Sequence, residues 1–158
     1  MKQEDYKMFV KKHDRQVGIY KPTETYKEKR EKRLDSVPEK VLFMAQALID
    51  NNIEFQVLEC LCKSRKKVTA MLTDLYIPKY NIAMRYVDMD DEESVALSQI
   101  FFNMMKQRSY PFFIRSNESE DFLLEKLTNC IKDSPNHGKS GFGKKYVLVP
   151  QKRKRIAR

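Results

Sequence analysis

The sequence predicts an α/β domain with a small mixed sheet of about four strands flanked by helices, in the order α-β-β-β-α-β-α. Three observations carry this. Apolar residues recur at helical spacing in three segments. Four short runs rich in branched and aromatic residues lie between them. The 158 residues contain only four Gly and six Pro, too few for a loop-rich β fold. A strand, a helix and a further strand in sequence imply a crossover connection and a locally parallel pair.

The first of these helices is expected to open at Ser36. Ser36-Val-Pro-Glu39 has the form of a capping box, with Pro38 in the first turn. Val41, Met44, Ala45, Leu48 and Ile49 follow as its apolar face, and Asp50-Asn51-Asn52 closes it. Glu54–Cys62 and Val68–Tyr76 read as strands around the basic turn Lys63-Ser-Arg-Lys-Lys67, which makes an antiparallel hairpin. Pro78-Lys-Tyr-Asn81 is a turn and Ile82–Val87 a third strand. The acids of Asp88–Glu93 suit the positive end of a helix dipole. Leu97, Ile100, Phe101, Met104 and Met105 form the stripe of that helix. Tyr110–Ile114 is a fourth strand. Ser116 or Asn117 is expected to cap a last helix faced by Leu123, Leu124, Leu127 and Ile131.

The organisation expected is a polar, basic N-terminal arm (1–35), a central domain (36–132), and a linker with a basic tail (133–158). The formal charge of +9 is uneven. Residues 1–40 carry +4, residues 41–138 carry −3 and residues 139–158 carry +8. The core is therefore neutral to acidic, and the positive charge sits at the ends. No apolar run reaches the ~18 residues of a membrane span. The start, MKQEDYKMFVKKHD, has no apolar stretch of a secretory signal. Together with three Cys, an odd number, this leads to a cytoplasmic expectation. Cys60 and Cys62 form a CxC pair read as buried thiols, since zinc would need two more ligands and His13 and His137 are distant in the chain.

The phrase LTDLYIPKYNIAMRYVDM (72–89), with PEKVLFMAQALIDNNIEFQVLEC before it and FFIRSNESEDFLLEKL after it, resembles the core of the PD-(D/E)XK, or restriction-endonuclease-like, nuclease superfamily. The similarity is to its short mismatch-repair-endonuclease-like members and spans roughly residues 38–131. The resemblance implies an upstream Glu, here Glu39, and a strand Asp, here Asp74 in TDLYIP. It also implies an acid and a Lys two residues apart on the next strand. Such carboxylates hold a divalent metal that activates water beside a phosphodiester. The next strand departs from that pattern. Arg85 stands where the acid belongs and Val87 where the Lys belongs. A cation there repels Mg²⁺, so the expectation is a degenerate active site with a bidentate Asp74–Arg85 pair.

Each signal also has a plainer reading. Asp74 can be a structural salt-bridge acid, Glu39 a capping residue, and the acids of 88–93 a helix start in place of a metal cluster. The expected function is nucleic-acid binding, DNA or RNA, through the phosphate backbone. Lys63, Arg65, Lys66 and Lys67 would contact phosphate, with Lys144, Lys145, Lys152, Arg153, Lys154, Arg155 and Arg158 of the tail. No cofactor is expected. One alternative is an active endonuclease using Mg²⁺ or Mn²⁺ at Asp74. The other is a protein-interaction or assembly module, with a protein partner or a homo-oligomer.

Overall fold

The structure is a computed structural model and describes residues 1–17, 24–62, 71–106 and 108–136. Its helices are α1 (Gln3–Val17), α2 (Glu24–Asp35), α3 (Glu39–Asp50), α4 (Glu92–Met105) and α5 (Glu120–Lys132). Its strands are β1 (Gln56–Cys62), β2 (Met71–Ile77), β3 (Ile82–Val87) and β4 (Tyr110–Arg115). From α3 onward the order is the one the sequence predicts. The sheet runs β1-β2-β3-β4, with the first two pairs antiparallel and β3/β4 parallel through the α4 crossover. Among the described residues no helix is long and apolar enough to cross a membrane.

Alternation along the strands gives the sheet two different faces. Leu75, Ile77, Ile82, Met84, Phe112 and Ile114 join the main core with α3 and α5. Ala83, with Tyr76 and Phe113 beside it, packs against Phe101 and Met105 of α4. Two expected stripe residues stay outside: Ile49 and Ile100 are both exposed. Residues 1–35, expected as an arm, contribute to the core. Tyr6 and Val10 of α1 are buried in the same cluster as Met44 and Leu48. Their i,i+4 spacing gives α1 a narrow apolar stripe that its many charges obscure in the sequence.

Two helix starts differ from the expected ones. The N-cap of α3 is Pro38, and its carbonyl accepts from the Val41 and Leu42 amides. Pro38 is fixed in an extended conformation, so Ser36 lies too early to reach the first turn and no capping box forms. At α5 the cap is Ser119, whose hydroxyl accepts from the Phe122 amide. Ser116 is engaged elsewhere, accepting from the Met89 amide across the parallel pair. The C-terminus of α3 closes as the sequence suggests. Asn52 takes φ 56°, its amide donates to Ile49 and the Ile53 amide to Leu48. This left-handed closure suits Asn and Gly.

β4 is an edge strand, and three of its outward backbone positions are individually accounted for. Pro111 has no N–H, the Phe113 carbonyl accepts from Lys126 Nζ, and the Arg115 amide donates to Glu118 Oε1. Lys126 also reaches both Glu118 oxygens and lies 4.7 Å from the centre of the Phe112 ring. Burial pulls the Lys126 ammonium below its ordinary pKa, against the opposing pull of Glu118. Lys40 of α3 donates to the Ser116 and Glu118 carbonyls, tying α3 to the β4–α5 turn.

Two measurements test these local arguments. Asn52→Gly should leave stability unchanged or raise it, while Asn52→Ala should cost about 1 kcal/mol in urea unfolding, because only the latter loses the left-handed allowance. Burial pushes the Cys130 thiol well above its usual 9. The folded form therefore stays protonated while the unfolded chain ionises. The associated stability is complete below pH 9 and is lost as pH rises toward the folded value, by up to about 1.4 kcal/mol per pH unit. Comparing wild type with Cys130→Ala at pH 8 and pH 10 should show a shallower alkaline loss in the variant.

Candidate functional site

Asp74 is the one fully buried carboxylate among the described residues. It sits where the sheet is irregular. The β1/β2 register passes from Val57↔Leu75 to Glu59↔Thr73, which sets Leu58 opposite Asp74. Leu58 has φ 50°, a costly left-handed conformation for a non-glycine residue. On the other side the β2/β3 pairing runs from Ile77↔Ile82 only as far as Leu75↔Met84. Beyond it the Asp74 side chain takes over a main-chain role: Oδ2 accepts from the Tyr86 amide at 2.8 Å.

The partner of Asp74 is Arg33. Arg33 Nε lies 2.8 Å from Oδ1, with the Asp74 side chain 1% exposed and that of Arg33 23% exposed. The contact rests on charge and proximity, because Oδ1 receives no aligned hydrogen bond. The Arg33 guanidinium also lies 5.9 Å from the centre of the Tyr86 ring. Tyr6 of α1 donates its hydroxyl to the Asp74 carbonyl at 2.8 Å. Burial and the Asp74 charge hold the Tyr6 phenol well above its usual pKa, partly offset by Arg33 and Arg30. The site is thus assembled from the two helices of the expected arm and the middle of the sheet.

This arrangement corrects the expected Asp74–Arg85 pair. Arg85 Nη1 donates to the Leu72 carbonyl at 2.6 Å, and its guanidinium lies 5.7 Å from the centre of the Phe101 ring. Arg85 therefore faces α4, whereas its neighbour Tyr86 packs on the opposite, main-core side together with Arg33. Regular alternation from Leu75↔Met84 would set Asp74 across from Arg85, but the ladder ends at that pair and the Asp74 carboxylate turns to Arg33 and the Tyr86 amide instead. Glu39 stands exposed at the first residue of α3, while both Asp74 oxygens are occupied by Arg33 and Tyr86.

The residues do not fit a divalent cation. A guanidinium lies against one oxygen of Asp74 and a backbone amide against the other. Among the described residues no group of three or more His, Cys, Asp or Glu side chains is placed to hold a metal. The acids of 88–93 serve the α4 start instead. Glu92 and Glu93 lie in its first turn, and Asp88 Oδ1 accepts from the Asp90 amide.

Of the basic residues singled out in the sequence, Lys63, Arg65, Lys66, Lys67 and all seven of the tail lie outside the described residues. Sequence reasoning missed a further basic corner. Asn81 accepts from the Tyr76 hydroxyl and donates to the Arg108 carbonyl at 2.7 Å. It thereby brings the Pro78–Asn81 turn against the α4–β4 connection. Exposed Lys79 and Arg108 come to the same end of the sheet. Lys79 is 5.4 Å from the centre of the Tyr80 ring and Lys106 is 5.9 Å from that of Phe102. The residues most informative about Asp74, Arg33 and Tyr6, were also missed. The available signal was the i,i+3 spacing of Arg30 and Arg33 in a helix with almost no apolar residue to anchor it.

Removing one member of a buried ion pair strands the other. Arg33→Ala should therefore lower unfolding stability by about 3 kcal/mol, and by much less in an Asp74→Asn background. A double-mutant cycle from urea unfolding would read the difference, and equal costs in the two backgrounds would remove the pair from this account. In comparisons with known proteins, the chain matches no family model, no curated protein and no solved structure.

Proposed function

We propose that the chain is a nucleic-acid-binding protein built on a restriction-endonuclease-like fold whose metal site has been replaced by arginine contacts. The observation that carries this reading is the Arg33–Asp74 contact at 2.8 Å. On this reading the guanidinium takes the place of the metal that such a nuclease would hold at its strand Asp. The element order supports the fold: a helix, an antiparallel trio of strands, a crossover helix and a parallel fourth strand. The charge distribution supports the binding. The last twenty residues carry +8, and the corner of Lys79, Lys106 and Arg108 adds cations beside the Tyr80 and Phe102 rings. Lysine and arginine contacts of this kind neutralise phosphates without choosing a sequence. The half-buried Tyr80 and Phe102 rings beside them offer edges on which unpaired bases can stack.

The reading makes two joint expectations. Affinity for a duplex or single-stranded oligonucleotide should fall steeply with salt, each neutralised duplex phosphate contributing about −0.9 to the slope of log K against log salt. Deleting residues 144–158, which hold seven Lys and Arg, should flatten that slope by at least about 3 if half of them contact phosphate. With Mg²⁺ or Mn²⁺ present, wild type and Asp74→Ala should both leave DNA and RNA intact. Metal-dependent cleavage that disappears in Asp74→Ala would instead establish the endonuclease alternative.

A further inference from the structure

Helix α1 divides its side chains between two sides. Tyr6 and Val10 point into the core. Asp5, Met8 and Lys12 recur at i, i+3 and i+7 and share the outer side. Met8 is 68% exposed, the most exposed of the large apolar side chains described. Beside it on α3 is Ile49, 38% exposed although it belongs to the apolar pattern of its helix. A groove of about 400 Å³ joins these residues, lined by Met1, Asp5, Met8, Phe9, Lys12, Gln46 and Ile49. It shares Phe9, Lys12 and Ile49 with a second cleft of about 590 Å³ that ends at Phe55 and Pro78. Apolar surface gathered in this way marks a contact site.

We propose that this face is a two-fold interface between two copies of the chain. The charge pattern selects that occupant. Asp5 and Lys12 stand seven residues apart, about 10.5 Å along the helix. That is too far for an ion pair within α1, and among the described residues neither has one. Exposed Met8 lies near the midpoint between them. Two α1 helices laid antiparallel about that midpoint set Asp5 against the partner's Lys12 and Lys12 against the partner's Asp5. Met8 then meets the partner's Phe9. A two-fold axis repeats each contact, so a surface that is its own complement is satisfied twice by a second copy. A nucleic acid finds no such match here, since the charged side chains that line the groove are one acid, Asp5, and one base, Lys12. The interface lies on a different side chain set from the Asp74 site and the basic residues above, and it does not depend on the nucleic-acid reading.

Sedimentation of the full chain, stripped of nucleic acid, tests this from about 1 μM to about 100 μM. Wild type should be dimeric within that range. Asp5→Lys should raise the dimer dissociation constant about tenfold or more, because both attractions become repulsions. Combining Asp5→Lys with Lys12→Asp in one chain should restore it. An equimolar mixture of the Asp5→Lys chain with a Lys12→Asp chain should give a heterodimer tighter than either homodimer, a result that misfolding of a single variant cannot produce. A monomer at every concentration, or dimers indifferent to Asp5→Lys, would overturn the proposal, as would failure of the paired exchange to recover association.

Discussion

A buried carboxylate without a counter-charge is among the most costly features a core can contain, and Asp74 sets this condition for the domain. It lies in the middle of the sheet, enclosed on both sides, with 1% of its side chain exposed. Several otherwise odd features follow from accommodating it. The ladder to β3 gives way to a side-chain bond at Tyr86, and Leu58 opposite takes a left-handed conformation. Helix α2, polar almost throughout, is brought onto the body by Arg33. Helix α1 is fixed by the Tyr6 hydroxyl on the Asp74 carbonyl. Gln3 completes the connection, its amide donating to the Leu34 and Asp35 carbonyls at the end of α2. The N-terminal helices and the sheet are thus held by one polar centre as well as by apolar packing.

The same centre changes what the domain offers chemically. An acid free to take a cation and an acid already satisfied by arginine read identically in a sequence. They differ in whether anything remains for a ligand to bind. Here the guanidinium and the amide use both oxygens, and Arg85 is turned to the other face of the sheet against Phe101. Among the described residues, exposed Lys79 and Arg108 stand at the end of the sheet, at the Pro78–Asn81 turn and the α4–β4 connection.

The strands and helices from residue 39 onward were legible because their signals are local. Ile82–Val87 carries β-favouring residues between a turn and an acidic cluster, and it forms a strand over the same residues. Asn52 announces the end of α3 because few residues tolerate its backbone conformation. The partner of Asp74 was not legible, because 41 positions separate it from Arg33 and nothing local distinguishes Arg33 from the solvated cations around it. The Arg85 expectation failed for a related reason. Adjacent strand positions suggest contact, but the ladder stops at Leu75↔Met84 and the Asp74 side chain turns to the Tyr86 amide beyond it. Tyr6 and Val10 were hidden by composition, as two inward residues in a helix of charges do not register as an apolar segment. Ser36 misled because the capping pattern was complete in sequence while Pro38 placed the helix start two residues later than that pattern requires.

The edge formed by β4 bears on how the molecule behaves in a crowded solution. A free sheet edge is a template on which another chain can add a strand, the route by which many α/β proteins aggregate. At Pro111 there is no donor to extend from, at Phe113 the acceptor is held by Lys126, and at Arg115 the donor is held by Glu118. An incoming strand would have to displace a half-buried lysine and a carboxylate at two positions, and would find no donor at the proline. That edge is blunted against strand addition by its own side chains. Growth into open-ended stacks from β4 is thereby disfavoured.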